Sequence, residues 1–181
     1  LTRFDPNGNV LPAQADRWTV APDGKTITFT LRADLKRADG TAITARDFEA
    51  SFKRLVDPRV AGEYNTLLDD VVGAAEARTS DPRAIQADIT KVMDKVGIKA
   101  TGDLTLTVTL KQPAGYWPAI AATWVGLPAD SRAVEKDPQY WWTRPENHNG
   151  NGPFTIVQID EGSRISLAAN PTYWGGKPKL D

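Results

Sequence analysis

Two residue types that are common in catalytic sites, histidine and cysteine, are scarce or absent in this sequence. The 181 residues include one histidine, His148, and no cysteine, which excludes mechanisms that need two imidazoles or a thiolate. Two adjacent carboxylates, Asp69 and Asp70, suggest a pair for hydrolysis. Neighbours in sequence seldom face one another, so we interpret Asp69-Asp70 as a solvated turn. A carboxylate-based hydrolase stays an alternative.

The histidine lies in a polar loop, Glu146-Asn147-His148-Asn149-Gly150. Metal binding needs several ligands of matching chemistry, and the neighbouring residues do not supply them. We therefore expect His148 to be solvated or to pack at a hinge. The sequence predicts no metal site and no cofactor.

Charge and hydropathy exclude two further classes of protein. The chain carries 22 basic and 23 acidic residues, interleaved along its length, for a net charge of −1. Nucleic-acid binding requires clustered Lys and Arg, so we predict no nucleic-acid partner. The apolar runs are too short to cross a bilayer. An apolar content of 40% is typical of a globular chain with a real core.

Strands and helices must position any functional residue. Alternating apolar residues predict the strands Trp18–Val20, Thr26–Arg32, Leu104–Leu110, Phe154–Ile159 and Arg164–Ala168, with a short run at Ile98–Ala100. Helical spacing predicts a helix from Thr44 to Asp57, another over Pro82–Val96 capped by Asp81, and short helical turns at Trp117–Ala122 and Ser131–Lys136. Because strands and helices mix without regular alternation, we predict an α+β fold. It comprises a small antiparallel or mixed sheet, two or three flanking helices and a terminal β-hairpin.

A turn followed by a helix start is predicted between residues 39 and 48. Asp39-Gly40-Thr41 forms the turn, in which Gly40 supplies a positive φ. Thr44 is a good helix N-cap, and Asp47, three residues later, completes a variant capping box. We predict a structural role for Asp39, Gly40, Thr44 and Asp47.

These motifs together resemble the family 5 extracellular solute-binding proteins, the oligopeptide and dipeptide receptors of ABC importers. Trp18 followed by Asp23–Arg32, and then Asp39–Phe48, are similar to that family's first landmarks. Its later landmarks resemble Gln112-Pro113, Asn151-Gly152-Pro153-Phe154 and Asn170-Pro171-Thr172-Tyr173-Trp174. The matches follow family order across nearly the whole chain. One departure is Arg37-Ala38, where the family usually carries an aromatic residue before its Asp-Gly.

The resemblance implies that residues 13–149 form the small accessory lobe of a larger receptor. Residues 1–12 and the crossover and hairpin of 150–181 then belong to the first binding lobe, and the second large lobe lies outside this sequence. We expect the hairpin, cut from its sheet, to pack on the small lobe or to associate edge to edge through residues 151–181.

The resemblance also implies a function. Such receptors capture a peptide or similar solute in a cleft between lobes that close by hinge motion. They then deliver it to the membrane subunits of an ABC importer. We expect a periplasmic or surface-anchored binding protein and not an enzyme. A ligand-sensing module of an intracellular transcription regulator is the alternative.

The resemblance gives one candidate ligand-facing residue, Tyr64. It follows the predicted first helix, and a tyrosine there resembles the one that faces bound peptide in oligopeptide receptors. Its phenol offers ring surface and a hydrogen bond, although packing within the loop is the alternative. The six tryptophans are expected to pack the core and the seam between lobes, or else to line an apolar cleft.

Overall fold

In a computed structural model, the chain folds into three antiparallel sheets with helices against the largest. The structure describes residues 1–138 and 140–180. Gln139 and Asp181, which belong to the predicted segments 13–149 and 150–181, lie outside the described residues. The strands are β1 (Thr2–Phe4), β2 (Val10–Pro12), β3 (Ala15–Val20), β4 (Thr26–Leu31), β5 (Ile98–Gly102), β6 (Thr105–Thr109), β7 (Phe154–Asp160) and β8 (Arg164–Ala169). The helices are α1 (Ala45–Val56), α2 (Ala74–Arg78), α3 (Gln86–Met93), α4 (Trp117–Ile120) and α5 (Ser131–Lys136).

The central sheet has four strands in the order β3-β4-β6-β5, all antiparallel. β1 pairs with β2, and β7 pairs with β8, as separate hairpins. Along β4, Ile27, Phe29 and Leu31 are buried and alternate with threonines, as the period-2 pattern predicts. The predicted α+β class is confirmed, and the sheet is antiparallel throughout.

The core lies between the central sheet and α1. Phe48 and Phe52 of α1 are buried against the sheet. Trp117, at the start of α4, is fully buried, with its ring centroid 5.9 Å from those of both Phe29 and Phe52. Burial of such large rings contributes about 1.5–3 kcal/mol each. Trp117 therefore packs in the core, whereas Trp124 and Trp142 are 61% and 57% exposed.

The helix predicted over Pro82–Val96 is wrong at both ends. It begins only at Gln86, because Asp81 accepts the backbone N–H of Arg83 at 2.9 Å and thereby forms a turn instead of a helix cap. It ends at Met93, where the chain turns into β5. The strand predicted over Leu104–Leu110 is also shorter, since β6 covers Thr105–Thr109.

Residues at both ends of the chain are bonded to the body of the molecule. Leu1 is buried, and its carbonyl accepts the Ala15 N–H at 2.9 Å. The hydroxyl of Thr2 donates to the Pro118 carbonyl at 2.6 Å, and that of Thr172 donates to the Arg37 carbonyl at 3.0 Å. Within the described residues, no helix combines the length and apolar character needed to cross a membrane.

Candidate functional site

The loop after α1 holds Tyr64 in an unusual backbone conformation. Tyr64 has φ 61°, and Ala61, three residues earlier, has φ 48°. Among the described residues, these are the two non-glycine positions with positive φ. The left-handed region is disfavoured for residues with a Cβ. Such strain clusters at functional sites, so the loop is a candidate site.

Packing against α1 fixes this loop. A Cβ at Gly62 would lie 2.9 Å from the Leu55 carbonyl oxygen, so only glycine lets the loop approach the helix this closely. The Asp57 carbonyl accepts the N–H groups of Val60 and Ala61, each at 3.0 Å. The loop therefore presents Tyr64 from a fixed backbone.

Tyr64 contacts Trp124, a partner that sequence reasoning missed. Their ring centroids are 5.2 Å apart at an interplanar angle of 82°, an edge-to-face arrangement that aromatic pairs favour. Tyr64 is nevertheless 58% exposed and Trp124 is 61% exposed. Nothing in the local sequence signals this pair, because its members lie in separate loops.

A second tight turn positions Trp124. Its carbonyl accepts the Leu127 N–H, and the Thr123 carbonyl accepts the Gly126 N–H, each at 3.1 Å. A Cβ at Gly126 would lie 2.3 Å from the Ala121 carbonyl oxygen, so the turn requires glycine there. The neighbouring Val125 and Gly126 are buried. The exposed indole is thus carried on an anchored turn.

The segment after this turn lines a cavity of about 440 Å³. The cavity lies where the predicted segments 1–12 and 150–181 meet the predicted small lobe. Its wall includes Thr2, Gln14, Ala122, Leu127, Asn151 and Trp174. The Arg32 guanidinium lies over the Trp174 ring, 5.3 Å from its centroid, in a cation–π contact. A cavity between two parts of a fold is a common position for a ligand site.

The Asp39-Gly40-Thr41 turn is held by its own carboxylate. Asp39 Oδ1 accepts the Thr41 N–H at 2.9 Å and the Thr41 hydroxyl at 2.6 Å, and Gly40 has φ 83°. The Asp39 N–H donates to the Asn149 side chain at 3.1 Å. The bonds from the Thr41 hydroxyl and N–H, followed by Arg132 and Asn149, lower the pKa of Asp39 to about 2.

Asp130, at the start of α5, joins this turn to the polar loop Glu146–Gly150. Its carboxylate accepts from Arg132 Nη2 at 2.7 Å and from the Asn149 side-chain amide at 2.9 Å. Arg132 also reaches Asp39 at 3.2 Å. The bonds from Arg132, with smaller contributions from Asn149 and Arg37, lower the pKa of Asp130 to about 2. Sequence reasoning did not single out Asp130, since its partners are distant in the chain.

Arg37, the departure from the family pattern, is a buried cation in the same network. It pairs with Asp47 and lies 3.7 Å from Asp130. Asp47 in turn accepts the Thr44 N–H at 2.7 Å and the Thr44 hydroxyl at 3.2 Å. One carboxylate therefore bonds both to the N-terminus of α1 and to the buried arginine.

The residues considered for hydrolysis or metal binding each bond to a different partner. Asp69 binds Arg78 through two hydrogen bonds of 2.6 and 2.7 Å, whereas Asp70 accepts from the Tyr116 hydroxyl. His148 Nε2 bonds the Trp142 carbonyl. Within residues 1–138 and 140–180, no group of three or more His, Asp or Glu side chains could hold a metal ion.

The fold matches part of the solved structures of solute-binding proteins, which gives the class of protein. The substrate-binding domain of an oligopeptide ABC transporter from Bacillus anthracis superposes with a TM-score of 0.87 and 30% identity over 97% of this chain and 32% of that one. OppA of Haemophilus influenzae, in complex with RPPGFSPFR, gives a TM-score of 0.84 and 32% identity over 97% of this chain and 33% of that one.

The chain belongs to the bacterial extracellular solute-binding proteins, family 5, whose sequence model matches residues 9–181. The predicted resemblance is thereby confirmed. The dipeptide-binding protein DppE of Bacillus subtilis is 32% identical over 96% of this chain and 30% of its own length. The probable deoxycholate-binding periplasmic protein YgiS of Escherichia coli is 35% identical over 96% of this chain and 31% of its own. The chain thus spans about 30% of the length of these relatives.

Proposed function

We propose that this chain is part of the substrate-binding component of an ABC importer for peptides or similar solutes. The observation that carries the proposal is the match of nearly the whole chain, in sequence and fold, to proteins named for binding dipeptides and oligopeptides. The protein acts outside the cytoplasm, hands its solute to the importer's membrane subunits, and catalyses no reaction.

We further propose that residues 13–149 form a small accessory lobe, and that residues 1–12 and 150–181 belong to the adjoining binding lobe. The cavity at the junction of these segments supports this division, because its wall draws on both sides. In this division, the hydrogen bond from the Asn151 side chain to the Gln14 side chain links the two lobes. A solute held there would contact both lobes.

Tyr64 is the ligand-facing residue of this proposal. Its ring is exposed, its backbone is strained, and its loop is anchored on α1. Those features are typical of a side chain that contacts a ligand, since burial does not account for its position. The phenol supplies a hydrogen bond, and the ring supplies an apolar surface.

Calorimetry with tripeptides tests the function. We expect the complete protein to bind and the isolated chain of residues 1–181 to bind weakly or not at all, because enclosed sites bury about 70–90% of a ligand's surface. Tyr64→Ala in the complete protein should weaken binding by about tenfold, since loss of a ring contact costs on the order of 1 kcal/mol. Tyr64→Phe keeps the ring and removes the hydroxyl, so its affinity shows how much each contributes to binding.

Tyr140→Ala is the matched control, because Tyr140 is also 58% exposed but lies in a different segment. It should leave affinity unchanged. Micromolar binding by the isolated chain would show that the site is complete within these residues. Equal losses for the Tyr64 and Tyr140 variants would argue against a ligand contact at Tyr64.

A further inference from the structure

We propose that Trp124 is a specificity-determining residue, which with Tyr64 forms an aromatic corner for an apolar side chain of the bound peptide. This inference rests on the peptide-binding function proposed above. The aromatic corner consists of these two rings alone, 5.2 Å apart and close to perpendicular. No motif in the sequence singles out Trp124 from the other tryptophans.

The exposure of Trp124 requires an explanation that core packing does not give. Trp117 is fully buried in the same fold, whereas Trp124 leaves 61% of its surface exposed. An exposed indole beside an exposed phenol forms an apolar patch of the kind that marks interaction sites. A ligand that covers the two rings would remove their apolar surface from water, which is a favourable contribution that folding alone does not provide.

The backbone segments that carry the two rings are closely packed on the rest of the fold. Gly62 fits Tyr64's loop closely against α1, and Gly126 closes the turn that carries Trp124. A side chain entering the corner would therefore find both rings already placed, which lowers the entropy cost of binding. Aromatic side chains provide large contact areas at little cost in rotamer entropy.

The position of Trp124 in the chain places the aromatic corner next to the proposed cleft. Ala122 and Leu127, on either side of Trp124 in sequence, both line the cavity between the proposed lobes. Leu127 is itself 59% exposed. A peptide whose backbone occupies the cavity could thus place a side chain in the corner. Aliphatic groups suit it because both rings offer apolar surface, and aromatic groups can also make edge-to-face or stacked contacts at centroid distances of about 4.5–7 Å.

The test uses the complete protein and four tripeptides: Ala-Ala-Ala and the three peptides with one alanine replaced by phenylalanine. We expect the wild type to prefer at least one phenylalanine peptide. Trp124→Ala should weaken binding of that peptide by about tenfold and of Ala-Ala-Ala by less than about twofold. Trp124→Phe, which keeps a ring, should retain most of the preference.

Trp142→Ala is the control, because Trp142 is exposed to a similar degree in a different segment. It should leave all four affinities unchanged. Equal loss for all four peptides in Trp124→Ala, or no loss for any, would overturn the specificity role alone. Failure of the wild type to bind any of the peptides would overturn the proposed peptide-binding function, and this inference with it. Circular dichroism shows whether each variant is folded.

Discussion

The side-chain amide of Asn151 donates a hydrogen bond of 2.7 Å to the side-chain oxygen of Gln14, and both side chains are buried. Gln14 precedes β3 of the central sheet, and Asn151 lies in the crossover that leads to β7. The same glutamine's backbone carbonyl accepts the Arg32 N–H at 3.0 Å. The hydrogen bond between Asn151 and Gln14 joins the proposed small lobe to the crossover. A buried polar pair of this kind stabilises the junction only while both partners are present.

We expect Asn151→Ala to lower the free energy of unfolding by about 1–3 kcal/mol, because it leaves the Gln14 amide buried without this partner. Urea denaturation measures the change. Asn7→Ala is the matched control, since Asn7 lies in an exposed turn, and it should change stability by less than about 0.5 kcal/mol. A double-mutant cycle with Gln14→Ala should show coupling of about 0.5–3 kcal/mol. Additive effects would mean that the two side chains act independently.

Stability should also depend on acid pH through Asp39 and Asp130. Each folded pKa is about 2, below the ordinary value of 3.8. A carboxyl whose pKa is depressed by folding binds protons more readily when unfolded, so its stabilising effect is present above pH 4 and is lost as the pH falls towards 2. We therefore expect the urea midpoint to fall over this range.

Asp130→Asn tests the assignment of that pH dependence. The variant removes one of the two carboxyls whose pKa folding lowers to about 2, so its urea midpoint should change less between pH 4 and pH 2 than that of the wild type. Glu161→Gln, at an exposed loop position, should leave the pH dependence of the urea midpoint unchanged. If the urea midpoint of Asp130→Asn depends on pH as strongly as that of the wild type, other carboxylates control acid unfolding.

The N-terminus of α1 gives a third prediction. Thr44→Ala should destabilise the fold by about 1 kcal/mol through loss of a cap residue. Asp47→Ala should cost more, about 3 kcal/mol, because it removes the Thr44 N–H acceptor and also one partner of the buried Arg37. Chemical denaturation shows which of the two variants loses more stability, and Thr66→Ala is the control at an exposed threonine. A larger effect for Thr44→Ala would show that the arginine pair contributes little.

Much of the fold could be predicted because its signals are local. The alternation over Thr26–Arg32 and the helical spacing after Thr44 each specify an element, and the structure has β4 and α1 there. The helix over Pro82–Val96 was predicted too long, because Asp81 competes as a turn former, a choice that apolar spacing does not reveal. Ile85, which lies within the predicted helix, is 69% exposed.

The candidate sites were less predictable because they depend on tertiary contacts. The sequence suggested Tyr64 only through family resemblance, and its pairing with Trp124 needs two loops to meet. The Asp39 turn was predictable, but its bonds to Arg132 and Asn149 join residues far apart in the chain. Local patterns specify which residues form a turn, whereas packing decides what that turn contacts.

The final prediction concerns the hairpin of β7 and β8, which exposes an apolar face. Ile156 pairs with Leu167 and Ile159 with Ile165, and an irregularity between Ile156 and Gln158 keeps both pairs on the same face. Ile165 is 60% exposed and Leu167 51%. A lone two-stranded hairpin is at best marginally stable in water. We therefore expect the isolated chain to self-associate through residues 151–181 as its concentration rises.

Light scattering over a concentration series measures this association. Leu167→Lys should reduce it, because a charge on the apolar face opposes close contact between two copies. Gln158→Lys adds the same charge to the same hairpin at an exposed polar position and should have little effect. Hydrogen exchange on the hairpin amides shows whether each variant keeps its strand pairing. A strict monomer with well-protected hairpin amides would mean that the rest of the chain alone supports β7 and β8. The proposed boundary between lobes at residue 150 would then be wrong, since the hairpin would belong with the body on which it packs.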